Sequence, residues 1–132
     1  MRVVLDTNVF VSGIFFSGPP HRILNAWRHG QLRLVYSPEI FQEYDRVLAE
    51  LSATFRKIDA SPFLDLLARY GEQIEPTNAI NIDCRDPADI KFVACLIEAK
   101  ASCLISGDKD LLMVKADRVS ILSPRQFCDL YL

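Results

Sequence analysis

The sequence predicts an α/β fold in which a parallel sheet is covered by helices, and three features lead there. Short apolar runs of strand length stand at Val3–Leu5, Leu32–Tyr36, Cys103–Ile105 and Val119–Leu122. Longer segments with apolar residues at helical spacing lie between them, the alternation that builds parallel sheets with helical crossovers. Each of those segments opens with a proline near its first turn, where a missing N–H leaves no bond unmade.

Taken in order, Val3–Leu5 is the first strand, and Ser17-Gly18-Pro19-Pro20 is a loop leading into a helix over Pro20–His29. Leu32–Tyr36 is the second strand, followed by a helix over Pro38–Leu51 with the stripe Ile40, Phe41, Tyr44, Val47, Leu48 and Leu51. A helix over Pro62–Gln73 and a connector at Pro76–Ile82 precede a helix over Pro87–Lys100. The strands Cys103–Ile105 and Val119–Leu122 and a last helix over Pro124–Tyr131 complete the layout. With no internal repeat, low-complexity tract or linker, residues 1–132 read as one domain, long enough for a core and too short for two.

Half of the residues are hydrophobic and 24% are charged, a mixture that excludes a disordered tail. Arg2 and Asp6 interrupt the first apolar stretch too soon for a secretory signal or a membrane span, so a cytoplasmic protein is expected. Cys84, Cys95, Cys103 and Cys128 stand at wide, unequal spacings with no Cys-x-x-Cys pair, and read as reduced, buried small hydrophobes. A net charge of −2 argues against a protein that coats nucleic acid through a broad basic face. If four acids sit together on metal, however, the rest of the chain carries +2, so overall charge does not decide the matter.

In open parallel sheets the functional crevice lies at the carboxyl ends of the strands. Asp6 follows Val3-Val4-Leu5 directly, and Asp108 follows Cys103-Leu104-Ile105 after a Ser106-Gly107 turn, so both are aimed at that crevice. Asp89 falls in the first turn of the helix opening at Asp86-Pro87, on the face of Phe92, Val93 and Leu96. Taken alone, Asp86 as N-cap with Asp89 as its capping-box partner is the simpler account. Glu43 sits at the edge of its helix's apolar stripe, which suits a cleft wall and equally suits a boundary glutamate paired with Arg46. The combination is more telling, since at ~4 Å and an effective dielectric near 20 each pair of carboxylates would repel by about 4 kcal/mol. A divalent ion offsets that directly, and an all-oxygen donor set without histidine points to Mg²⁺ or Mn²⁺.

Asp6-Thr7-Asn8 after the first strand, Ser37-Pro38-Glu39-Ile40 leading to Glu43, Asp86-Pro87-Ala88-Asp89, and Ile105-Ser106-Gly107-Asp108-Lys109-Asp110 together resemble a PIN domain of the VapC-like toxin ribonucleases. The resemblance spans nearly the whole chain, and its motifs are weak singly but fairly specific in their joint order and spacing. It implies a three-layer α/β/α sandwich, Mg²⁺- or Mn²⁺-dependent endoribonuclease activity on RNA, frequent homodimers, and often a small cognate antitoxin that blocks the site. Asp6, Glu43, Asp89 and Asp108 match the family's acidic quartet as catalytic and metal-binding residues. Asn8 and Ser106 match supporting polar positions, and Asp86 and Asp110 are further acids close by with open roles. The resemblance departs at Gly107, where classical VapC sequences tend to carry arginine, which points to a broader toxin branch.

In such a site the metal would activate a water and stabilise the leaving oxygen, so no protein nucleophile is needed. His21 and His29 lie in or beside one early helix, away from any strand-end serine or cysteine. Lys91, Lys109, Arg22, Arg28 and Arg33 are candidates to guide a phosphate backbone, although scattered basic residues commonly form an ordinary solvated surface. Trp27 with Ile23 and Leu24, and the segment Phe10–Phe16, fit either dimer and antitoxin contacts or, more commonly, core packing. Two rival readings are a phospho-receiver module, which also binds Mg²⁺ at strand-end acids, and a catalytically silent PIN fold that only binds partners.

Overall fold

The computed structural model describes residues 1–55, 58–76, 86–114 and 119–132. Its elements run β1 (Arg2–Leu5), α1 (Thr7–Phe15), α2 (Pro19–Arg28), β2 (Arg33–Tyr36), α3 (Pro38–Ser52), α4 (Ser61–Tyr70) and β3 (Glu72–Gln73). A 3₁₀ turn (Pro87–Asp89) then leads into α5 (Ile90–Ala99), β4 (Cys103–Ile105), α6 (Lys109–Leu112), β5 (Ile121–Leu122) and α7 (Pro124–Tyr131). The strands form one parallel sheet in the order β3-β2-β1-β4-β5. The order reverses at β1, so the crevice between the carboxyl ends of β1 and β4 is the sheet's topological switch point. A receiver-type sheet runs 2-1-3-4-5 instead, so that rival does not fit.

Successive strand residues point to opposite faces, yet Val3, Val4 and Leu5 are all buried, as are Cys103, Leu104 and Ile105. Both faces of the central strands are therefore covered, which is the three-layer α/β/α arrangement. Helix α5 packs directly across β1, β2 and β4. Phe10 of α1 stacks on Tyr44 of α3 with ring centroids 4.3 Å apart, and the Tyr44 hydroxyl donates to the Leu5 carbonyl at the end of β1. That bond fixes α3 against the strand end that carries Asp6.

Several expectations change. The stretch after Asp6 is a helix, α1, and it buries Val9, Phe10, Val11, Gly13 and Ile14. Trp27, Ile23 and Leu24 are likewise core, and of Phe10–Phe16 only Phe16 is strongly exposed, so these residues offer no broad apolar face to a partner. The third predicted helix stops at Tyr70 rather than Gln73. Gly71 turns the chain where a Cβ would meet the Leu67 carbonyl at 2.5 Å and the Tyr36 ring at 2.7 Å. Glu72 and Gln73 then pair with Val35 and Tyr36, and Arg2 grips the Glu72 carboxylate with two bonds of 2.6 and 2.7 Å.

Cys95, Cys103 and Cys128 are free and buried, and Cys84 lies outside the described residues, as does the Pro76–Ile82 connector beyond Pro76. Among the described residues no helix is long and apolar enough to cross a membrane.

Candidate active site

The carboxyl ends of β1 and β4 come together through backbone pairing before any side chain contributes. Leu5 pairs with Ile105, and the Asp6 N–H donates to the Ile105 carbonyl at 3.0 Å. Asp6 then leaves the strand as the N-cap of α1, its Oδ1 accepting from the Val9 N–H at 2.8 Å. Its Oδ2 accepts from the hydroxyl of Ser106, which is wholly buried. The same hydroxyl oxygen accepts from the Asp108 N–H at 3.0 Å. A serine hydroxyl carries one donor and two acceptor sites, so Ser106 spends its proton on Asp6 and a lone pair on Asp108. It thereby couples the two strand-end acids.

Asp108 caps α6, its Oδ1 accepting from the Asp110 N–H at 2.8 Å. Asp86 caps the 3₁₀ turn by accepting from the Ala88 N–H at 3.0 Å. Asp89 does not return a capping bond, and its buried Oδ2 has no hydrogen-bond partner among the described residues. Burial, followed by the charges of Asp108, Asp86 and Asp6 and opposed by Lys91, pushes the Asp89 carboxyl up to about 6. Burial also raises Asp6, against the Ser106 and Val9 hydrogen bonds, with the charges of Asp108 and Glu43 adding to the rise. These couplings place Asp6, Asp89 and Asp108 in one electrostatic neighbourhood.

Glu43 behaves differently. The Thr7 hydroxyl donates to its Oε2, and the Lys91 ammonium lies 2.9 Å from its Oε1. Burial raises its pKa, but the bonds from Lys91 and Thr7 outweigh that and hold the carboxyl below its ordinary value. The expected Arg46 partner is instead engaged with Glu50 at 3.2 Å, on the exposed side of α3.

Asn8, the expected support for Asp6, points to solvent on α1, and the bonds to Asp6 come from Ser106 and Val9. Thr7 was not singled out by sequence, although its place directly after a strand-end acid is the signal that finds it. His21 and His29 bond to backbone carbonyls of the α1–α2 region and take no part here.

The donor set suits a hard divalent ion, and the orphaned Asp89 oxygen is the kind of buried polar atom such an ion would satisfy. As the side chains stand, no three acidic, histidine or cysteine groups among the described residues are gathered tightly enough to hold one. An ion would therefore have to draw them together.

A profile of the PIN domain matches residues 2–110, a span that holds every residue just described. An uncharacterized protein of Methanocaldococcus jannaschii is 33% identical over 121 residues, covering 87% of this chain and 76% of its own. No solved structure matches the chain.

Proposed function

Because the chain belongs to the PIN-domain family, whose members are generally nucleases, we propose that it is a Mg²⁺- or Mn²⁺-dependent endoribonuclease that hydrolyses RNA phosphodiesters. One observation carries this reading: Ser106 ties Asp6 to Asp108 at the switch point of the sheet, and both acids act electrostatically on Asp89, whose buried Oδ2 has no hydrogen-bond partner among the described residues. Asp6, Asp89 and Asp108 would hold the ion, with Glu43 bordering them. When bound, a divalent ion supplies Lewis-acid activation of water and charge stabilisation on phosphate oxygens.

The chain's own part is positional. Asp6 cannot turn away without giving up the cap of α1, worth ~0.5–2 kcal/mol. Ser106, locked by its N–H to the Leu122 carbonyl at 2.9 Å, orients the Asp6 carboxylate through its hydroxyl and pins the Asp108 backbone N–H. Ser106→Ala is therefore expected to weaken Mn²⁺ affinity and cleavage by ~10–100-fold, the usual cost of losing an outer-shell bond at a metal site. Calorimetric titration with Mn²⁺ beside a cleavage assay checks this, and unchanged affinity would remove Ser106 from the site.

A cognate antitoxin and a homodimer form the finer part of the proposal and rest on the resemblance to toxin ribonucleases. The test of the whole is cleavage of an RNA pool by the purified chain in Mg²⁺, in Mn²⁺ and in EDTA. Cutting in either metal and none in EDTA is expected. Cutting that survives EDTA would reject the mechanism, and RNA binding without cutting at millimolar Mn²⁺ would assign the fold a binding role instead.

A further inference from the structure

We infer that Lys91 contacts the phosphate of the bound RNA, and that Glu43 serves to hold Lys91 in place rather than to ligate the metal. The inference rests on the nuclease reading above and reassigns two residues within it. Both oxygens of Glu43 are engaged, one by the Thr7 hydroxyl and the other by the Lys91 ammonium at 2.9 Å. A divalent ion would have to compete with a fixed ammonium for that carboxylate.

The ammonium is held on two sides. Besides Glu43 it donates to the Ala88 carbonyl at 2.6 Å, one turn back along the chain, and it sits 5.1 Å from the Phe92 ring centroid. An ammonium has three N–H donors in fixed tetrahedral directions. Among the described residues Glu43 and Ala88 take two, which leaves the third for a ligand. The Lys91 side chain is 12% exposed and lines, with Pro38, Glu39, Glu75 and Pro87, an open cleft of about 510 Å³ beside the acids rather than among them.

Among the described residues, Lys91 is the cation whose charge acts on both Glu43 and Asp89. A phosphodiester approaching three aspartates meets repulsion from each, and a cation beside them supplies the opposing attraction through a charge-assisted hydrogen bond. Lysine suits a phosphate contact as a point charge on a flexible stem. Here the stem is fixed by its neighbours, which spares the contact the entropy of ordering it.

The test uses the full chain and its Lys91→Met, Lys91→Arg and Glu43→Gln variants, with thermal melting to confirm folding and Lys91→Gln in reserve should Lys91→Met not fold. Mn²⁺ affinity is measured by calorimetry, and binding of a single-stranded RNA oligonucleotide is followed in EDTA as salt is varied. Lys91→Met should lower the slope of log affinity against log salt by about 0.7, the loss of one phosphate contact on a single strand, with Mn²⁺ affinity unchanged. Lys91→Arg should restore that slope. Glu43→Gln should keep the Mn²⁺ affinity of the wild type and slow single-turnover cleavage.

A fall of ~10–100-fold in Mn²⁺ affinity for Glu43→Gln would make Glu43 a ligand and overturn the inference while leaving the nuclease intact. An unchanged salt slope for Lys91→Met would overturn it from the other side. A wild type that neither binds Mn²⁺ nor cuts RNA would instead remove the nuclease reading, and this inference with it.

Discussion

Asp6→Asn is expected to abolish RNA cleavage, by at least ~1000-fold, while leaving the fold intact. Metal stabilisation of transition-state charge is worth several kcal/mol, and losing ~4 kcal/mol of it corresponds to that factor. The substitution is nearly isosteric, and asparagine caps helices about as well as aspartate, so the bond from the Val9 N–H survives. What disappears is the negative charge beside Ser106 and Asp108. Because burial raises the Asp6 pKa in the folded protein, ionising it costs stability, and that cost is fully present above the raised value, fades as pH falls through it, and is gone below the ordinary 3.8. The variant should therefore melt no lower than wild type in EDTA at neutral pH. Single-turnover cleavage with parallel melting curves checks both halves, and a loss of activity accompanied by unfolding would leave Asp6 a structural cap only.

Asp89→Asn should reverse its effect on stability according to whether metal is present. Without metal, burial and the neighbouring Asp108, Asp86 and Asp6 push the Asp89 carboxyl up to about 6 from an ordinary 3.8. The Asp89 contribution to wild-type stability is thus fully present below the ordinary 3.8 and is lost as pH rises through about 6, whereas asparagine has no charge to bury. The advantage of the variant grows across that window and then levels. Under Mn²⁺ at a hundred times its Kd, the wild type should gain about 2.7 kcal/mol, and a variant that binds no metal should gain nothing. Melting curves at several pH values with EDTA or Mn²⁺ give the answer. Equal Mn²⁺ stabilisation of both proteins would take Asp89 out of the metal site.

The parts of this site legible in the sequence were those marked by a change of local pattern. Val3-Val4-Leu5 and Cys103-Leu104-Ile105 end in polar residues, and a strand's carboxyl end is where an open α/β sheet does its work, so Asp6, Ser106 and Asp108 could be placed from the chain alone. Proline at the first turn located the starts of α2, α3, α4 and α7 to within one residue. Helix α1 escaped because nearly all of its sides are covered, leaving no amphipathic period in Thr-Asn-Val-Phe-Val-Ser-Gly-Ile-Phe. Strand β3 escaped because two residues carry no period at all. The Glu43–Lys91 pair joins α3 to α5 across 48 positions, a distance over which neither helix spacing nor capping rules speak, and Arg46 was the nearer but wrong partner.

The bond from Ser106 to Asp6 spans 100 residues of chain, and β4 must pair with β1 before it can form. While the polypeptide is still emerging from the ribosome, its first aspartate has neither of these neighbours. On the nuclease reading proposed above, a partly translated copy lacks a complete site, and activity would arrive only once the late strand has docked.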